Sequence, residues 1–294
     1  MRIFVTGASG FVGSAVVEEL IAAGHQVLGL ARNDAAADAL KQMGAEVHRG
    51  DLSNPKGLSL AAAECDGVVH TAFNHDWSQV KAAAEMDRRT IETFGEALSG
   101  TGMPLVIASA IGLLSPGRPT TEDDGGDPQS LGALRMPSEE AALALPSKNV
   151  RSSIIRLSPV VHDRTKQGLV TRMIALARQT GVSAYVGDGL NHWPAVHRRD
   201  AAQLFRLALE KGAPGSRYHA IAEDAITLRT IAEAIGRLVN VPAVAKTPEE
   251  AASHFSFLAY FVGADFQASS SKTKEALGWN ATGPTLIADL EPAR

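Results

Sequence analysis

Arg2-Ile3-Phe4-Val5-Thr6-Gly7-Ala8-Ser9-Gly10-Phe11-Val12-Gly13 is the stretch on which this chain turns. Ile3, Phe4 and Val5 read as a short buried strand. Three glycines follow at the spacing G-x-x-G-x-x-G, and Val12, Ala15, Val16, Glu19, Leu20 and Ala23 then recur on one helical face. A strand that turns sharply into a helix aims free backbone N–H groups and the positive end of a helix dipole at one point, which suits a pyrophosphate. Gly7 serves the tight turn, Gly10 the approach of phosphate, and Gly13 close packing of helix on strand. A valine at residue 10 is expected to fill the phosphate's space and to be disfavoured by a positive φ.

A chain of 294 residues with 45% hydrophobic and 20% charged residues is ordinary globular composition, enough for one large or two modest domains. The net charge of −4 offers nothing to nucleic acid or an anionic membrane. One cysteine, Cys65, excludes an internal disulfide and any multi-cysteine metal site, and no metal is expected. No apolar run approaches the ~18 residues of a membrane span, and a strand starting at residue 2 leaves no room for a signal peptide. A cytoplasmic protein is expected.

Thr6-Gly7-Ala8-Ser9-Gly10-Phe11-Val12-Gly13 resembles the T-G-x-x-G-x-x-G turn of the short-chain dehydrogenase/reductase superfamily, in its extended or atypical branches. The resemblance runs through the whole chain and is nearest to members described as epimerase-like. It implies an α/β fold with a doubly wound parallel sheet of the Rossmann type. Residues 1–160, with some later segments, would form the dinucleotide-binding domain, and residues 161–294 most of a smaller, interleaved substrate-binding region.

The second strand, 26–31, ends in Ala31-Arg32-Asn33, with no carboxylate for the adenosine ribose before Asp34. Arg32 can pair with a 2′-phosphate instead, so NADP (NADPH) is the expected cofactor. Asp51-Leu52 matches the superfamily pair that lies against adenine. Gly67-Val68-Val69-His70-Thr71-Ala72 resembles its V-x-H-x-A strand, so Thr71, Ala72 and Phe73 should run along the cofactor. The turn itself contributes Gly7, Ser9, Gly10, Phe11, Val12 and Gly13. In Arg156-Leu157-Ser158-Pro159-Val160-Val161-His162, which is similar to R-x-x-x-V-Y-G, Pro159 and Val160 should pass the nicotinamide.

At the end of the fifth strand Ser109 matches the serine or threonine that holds the reacting carbonyl. His75 lies in a loop at the carboxyl end of a central strand, where open α/β sheets bind ligands, and could face substrate. The Y-x-x-x-K motif of active members is absent. Tyr185, Tyr218 and Tyr260 are followed four residues on by Gly189, Ala222 and Ala264. Laying Y-x-x-S-K on the next helix by its serine puts Arg135 at tyrosine and Glu139 at lysine. Arginine, with a pKa above about 12, is a poor proton donor, but it can stabilise an alkoxide or grip an anionic group.

The proline- and acid-bearing stretch 115–129 reads as surface, and Asp200 as a helix cap with His197 packed beside it. Trp193, Phe255, Phe257 and Phe261 would wall the substrate cleft. The leading reading is an NADPH-dependent reductase of a bulky, weakly polar ketone or aldehyde. Ser109, His75 and Arg135 are its candidate catalytic residues, and His162 or a water relay could replace the tyrosine. A cofactor-binding sensor without turnover is favoured by the lost motif, and a sugar-nucleotide epimerase or dehydratase is a third reading. The partner is a small-molecule carbonyl substrate, with a homodimer possible.

Overall fold

The computed structural model describes residues 1–74 and 76–291, Trp77 by its backbone alone. Seven strands form its main sheet: β1 (Arg2–Thr6), β2 (Gln26–Ala31), β3 (Glu46–Arg49), β4 (Gly67–His70), β5 (Pro104–Ala110), β6 (Arg151–Leu157) and β7 (Ser216–Ala220). They lie in the order β7-β6-β5-β4-β1-β2-β3 and pair in parallel throughout. The chain winds outward from β1 to β3, then returns to β4 on the other side of β1 and winds outward again. That reversal leaves a crevice over the carboxyl ends of β1 and β4, where doubly wound sheets bind ligands.

Parallel strands covered on both faces need apolar side chains on both, and the first strand shows the division. Ile3 and Val5 point to one core with α1 (Phe11–Ala22) and part of α2 (Asp34–Gln42), while Phe4 points to the other. That second core is filled from α3 (Pro55–Ala63), α4 (Val80–Ala97) and α5 (Met136–Ala144). Each large side chain so buried contributes roughly 1.5–3 kcal/mol.

Between β6 and β7 the chain leaves the sheet, builds α6 (Leu169–Thr180) and three short strands, and returns through α7 (Arg198–Lys211). Helix α7 packs beside α1 and completes the first core. The strands Val160–His162, His192–His197 and Glu223–Thr227 make a separate three-stranded sheet. With α6 and α8 (Leu228–Val239) it encloses a third core around Trp193, Phe255, Leu258 and Val262. No helix among the described residues is long and apolar enough to cross a membrane.

Two local expectations are corrected. Asp200 does not cap its helix. His197 takes that place by accepting from the Arg199 N–H at 3.3 Å, while the Asp200 carboxylate accepts from Thr282 and Gly283 N–H at 3.1 and 2.9 Å. A carboxylate in the first turn of α7 thus pins the C-terminal segment to that helix. The stretch 115–129 is not all surface either, because Glu122 is buried and accepts from both the hydroxyl and the N–H of Thr273. Arg156 beneath it donates to the Asp124 carbonyl at 2.8 Å, so buried hydrogen bonds draw this acidic loop inward.

Candidate active site

Geometry at the glycine turn separates the roles of its three glycines. Gly7 has φ +67°, and a Cβ there would lie 2.7 Å from Ala72 N and Thr71 Oγ1. A Cβ on Gly13 would come within 2.1 Å of the Gly7 carbonyl oxygen. Gly10 has φ −78°, so the expected strain at that residue is absent and its requirement is space alone. Helix α1 starts at Phe11 with no side-chain cap, which leaves its first N–H groups to a ligand.

A cavity of about 850 Å³ runs from this turn along the carboxyl ends of the strands. Its walls include Gly7, Ser9, Gly10, Phe11, Val12, Gly13, Arg32, Asp51, Leu52, Thr71, Ala72, Phe73, Ser109, Arg135 and Pro159. The sheet order spreads these residues out. Arg32 and Asp51 follow β2 and β3 at one end, and Ser109 lies on β5 at the other. Arg32 is exposed, while Asp34 is paired with Arg49 at 2.5 Å. Asp51 accepts from the Ser53 hydroxyl and N–H, and these bonds hold its carboxyl below the ordinary range.

At the β5 end Ser109 is 3% exposed and its hydroxyl has no hydrogen-bond partner. Arg135, in the turn that opens α5, donates from Nη2 to the Ala108 carbonyl at 2.8 Å and to Asp87 Oδ2 at 3.1 Å. The Phe73 ring covers the guanidinium face at 4.3 Å. Asp87 is itself buried and takes His70 Nε2 on its other oxygen at 3.1 Å. With that N–H donated to Asp87, His70 Nδ1 accepts from the Thr6 hydroxyl at 2.6 Å. Burial pushes the Asp87 carboxyl up, but the Arg135 charge and the His70 bond outweigh it and hold it below its ordinary value.

Glu139 lies one helical turn beyond Arg135 and is held away from the cavity by Arg156, through Nε to Oε1 at 2.9 Å and Nη2 to Oε2 at 2.7 Å. Burial raises its pKa, yet the Arg156 pair prevails and keeps it ionised. The Ser109 hydroxyl approaches this carboxylate closely enough to feel its charge, but no hydrogen bond of proper geometry joins them. Ser109, Arg156 and His219 stand in register on β5, β6 and β7, so all three side chains lie on the α5 face of the sheet.

Several expected residues fall elsewhere. Val160 is fully buried in the third core, its N–H bonded to Ser158 Oγ, and Val161 lines the cavity instead. A single-residue step along a strand reverses the facing side chain, which is why one apolar residue was mistaken for the next. His162 is also buried away from the cavity, bound to Asp289 at 2.8 Å, and burial holds it neutral despite that bond. Trp193 and Phe255 are third-core residues, and neither Phe257 nor Phe261 lines the cavity. His75 lies outside the described residues. Tyr185, Tyr218 and Tyr260 are all absent from the cavity wall.

Sequence reasoning missed Lys166, Asp87 and Met86. Lys166 reaches the cavity from the turn after the strand Val160–His162, its ammonium 5.5 Å from the Phe11 ring beside the start of α1. Nothing in local pattern marks it, since its neighbour across the cavity is more than 150 residues away in the chain. Asp87 could have been suspected as an acid on the inward side of α4, three residues before Thr90 and four before Ile91.

Residues 3–221 match the model of the NAD dependent epimerase/dehydratase family. An uncharacterized protein of Schizosaccharomyces pombe is 44% identical over 290 residues, covering 99% of this chain and 98% of that one. The 2-alkyl-3-oxoalkanoate reductase of Stenotrophomonas maltophilia is 30% identical over 74% of this chain and 67% of its own. The decarboxylating sterol-4-alpha-carboxylate 3-dehydrogenase of Dictyostelium discoideum is 27% identical over 78% and 73%. Among solved structures, MoeE5 in complex with UDP-glucose and NAD is similar in fold, with a TM-score of 0.77 at 20% identity over 99% of this chain and 96% of that one. With its sheet order, glycine turn and match over most of its length, the chain belongs to the NAD dependent epimerase/dehydratase family.

Proposed function

We propose that this chain is an NADP(H)-dependent oxidoreductase that reduces the carbonyl of a small ketone or aldehyde. The observation that carries the reading is Ser109: a buried hydroxyl without a partner, in the wall of a cavity that begins at an uncapped glycine turn. A buried polar group left unpaired costs about 1–3 kcal/mol, and a substrate oxygen would relieve that cost. The cradle fits a dinucleotide on its own evidence, since the first N–H groups of α1 are open and the cavity extends past them in both directions.

In this reading the α1 N–H groups and Lys166 hold the diphosphate, and Arg32 takes the 2′-phosphate. A reduced nicotinamide, when bound, would supply the hydride for the carbonyl carbon and so become oxidised, and the oxygen's proton would come from solvent. Ser109 donates a hydrogen bond to the carbonyl oxygen and strengthens it as negative charge develops there. Solvent is assigned the proton because neither tyrosine nor histidine lines the cavity among the described residues. Phe73, Met86 and Leu157 provide the apolar wall first expected from Trp193 and Phe255.

The activities named for two of its relatives support the carbonyl chemistry. One is named as a reductase of 2-alkyl-3-oxoalkanoates and the other as a 3-dehydrogenase of a sterol-4-alpha-carboxylate. A cofactor-binding sensor without turnover is the second reading, favoured by the same lack of a proton donor. The deciding experiment follows NADPH and NADH consumption with a panel of ketones and aldehydes, alongside calorimetric titration of both cofactors. Saturable turnover supports the reductase. Tight binding with no turnover on any member supports the sensor.

A further inference from the structure

We infer that Asp87 and Arg135 are positioning residues for the reduction: with His70 they fix the strand end that carries Ser109 relative to the glycine turn. This rests on reading the cleft as a carbonyl-reducing site.

Ser109 stands on an overhang. β4 pairs with β5 only as far as His70 opposite Ile107, while β5 runs on to Ala110. On its other side β5 keeps its partner, with Ala108, Ser109 and Ala110 opposite Ile155, Arg156 and Leu157 of β6. The strand end that presents Ser109 is therefore held by a ladder on one side alone. A buried carbonyl beyond the ladder needs another donor. Arg135 Nη2 supplies it to Ala108 at 2.8 Å, one peptide unit from Ser109.

The other N–H of the same nitrogen goes to Asp87 Oδ2 at 3.1 Å, and the Phe73 ring covers the guanidinium at 4.3 Å. These contacts set the guanidinium plane, and with it the donor to Ala108. Arg135 thus acts through the backbone, its Nη2 fully used. Asp87 takes His70 Nε2 on its far oxygen at 3.1 Å, and His70 Nδ1 takes the Thr6 hydroxyl at 2.6 Å. Thr6 ends β1 and precedes Gly7, and His70 ends β4. One chain of hydrogen bonds therefore joins the ends of three adjacent strands, from the cofactor turn to the residue before Ser109. Thr6, His70 and Asp87 are each no more than 1% exposed, so water does not compete for these bonds. Hydride transfer needs the carbonyl carbon placed closely against the nicotinamide, and a misplacement of about 1 Å can cost about a hundredfold.

Two variants separate geometry from charge. Asp87→Asn loses the charge but can keep every bond: its oxygen accepts from Arg135, its amide donates to His70 Nε2, and His70 then donates from Nδ1 to the Thr6 hydroxyl. Asp87→Glu keeps the charge but adds a methylene in a fully buried place, which displaces Arg135. The assay follows NADPH oxidation with ethyl acetoacetate, acetophenone and benzaldehyde at saturating cofactor. On whichever the wild type reduces, Asp87→Glu should lower kcat by about thirtyfold and Asp87→Asn by less than about threefold, with NADPH affinity within about threefold for both. In a Ser109→Ala background Asp87→Glu should cost less than about threefold more, since no hydroxyl is left to misplace. Ring nitrogen NMR shifts of His70 should report the switched tautomer in Asp87→Asn. The opposite order of the two variants would overturn the proposal by making Asp87 a source of charge. Equal losses with and without Ser109 would also overturn it, as the mark of a purely structural role, and so would an Asp87→Glu variant of normal rate. Should Asp87→Glu not fold, Arg135→Met in the Asp87→Asn background, compared with Asp87→Asn alone, takes its place under the same expectations. If the wild type binds NADPH but reduces none of the carbonyls, the reductase reading itself fails and this proposal falls with it.

Discussion

Glu139 and Arg156 face one another as a two-pronged buried ion pair, with Nε–Oε1 at 2.9 Å and Nη2–Oε2 at 2.7 Å, where the superfamily's motif would set a lysine. The charge at that helical residue is therefore reversed, and the cation comes from β6 instead. Arg217 adds a second positive group 3.7 Å from the same carboxylate. Restoring the motif by Glu139→Lys should not restore a familiar site. It would gather three cations with one buried and unpaired, at a cost of about 3–5 kcal/mol. Urea unfolding would read the loss, and a variant as stable as the wild type would contradict this account.

Acid should weaken the fold through His219, whose ring Nδ1 is bonded to the Ser269 carbonyl. Burial pushes this histidine down to about 4 from an ordinary 6.5, so it stays neutral when folded while the unfolded chain takes up a proton. Its contribution is complete above pH 6.5 and is lost as pH falls towards about 4. The loss by pH 5 is about 2 kcal/mol. Unfolding midpoints measured at pH 7.5 and 5 should converge in His219→Gln relative to the wild type. An unchanged gap would place the acid sensitivity elsewhere.

Arg32→Ala should weaken NADPH binding roughly tenfold to a hundredfold while leaving NADH binding within about threefold. The guanidinium has no ion-pair partner among the described residues, and Asp34 is already paired with Arg49. Calorimetric titration with both cofactors measures this directly. Equal wild-type affinities would mean that Arg32 does not read the 2′-phosphate.

Ser109→Ala should lower kcat by about 10²–10³ with NADPH affinity retained, because the hydroxyl acts on charge that develops only during reaction. The tyrosine-to-phenylalanine variants should each cost less than about tenfold, or 1.4 kcal/mol. Tyr218 spends its hydroxyl accepting from the Ala213 N–H at 3.0 Å, and Tyr260 is 63% exposed away from the cavity. A dead tyrosine variant beside a normal Ser109→Ala would reverse the assignment.

Gly10→Val and Gly13→Val should separate binding from folding. Beyond its chain neighbours, an added Cβ at residue 10 meets among the described residues the Gly7 carbonyl oxygen at 3.0 Å, so that variant should fold and lose dinucleotide affinity. At residue 13 the same oxygen lies at 2.1 Å and backbone must move, so stability should fall by several kcal/mol. Circular dichroism with cofactor titration distinguishes them, and a folded Gly10→Val that keeps micromolar affinity would make the turn merely structural.

Local sequence alone determined the dinucleotide half of this protein. The glycine spacing, the strand before it and the helix after it all lie within about twenty residues of one another, so their geometry follows from the chain's own periodicity. Ser109 was reached through the family resemblance, and its place at the end of an apolar strand is what the structure shows. Tertiary structure decided the rest. Only packing shows that Arg135 is clamped by Asp87 from another helix, that Glu139 faces Arg156 rather than a cofactor, and that Trp193 and Phe255 fill a core instead of a cleft. The partners in those contacts are separated in the chain by between 17 and 48 residues for the ion pairs. A buried charge takes its meaning from whichever opposite charge folding brings to it, and no local pattern records that partner.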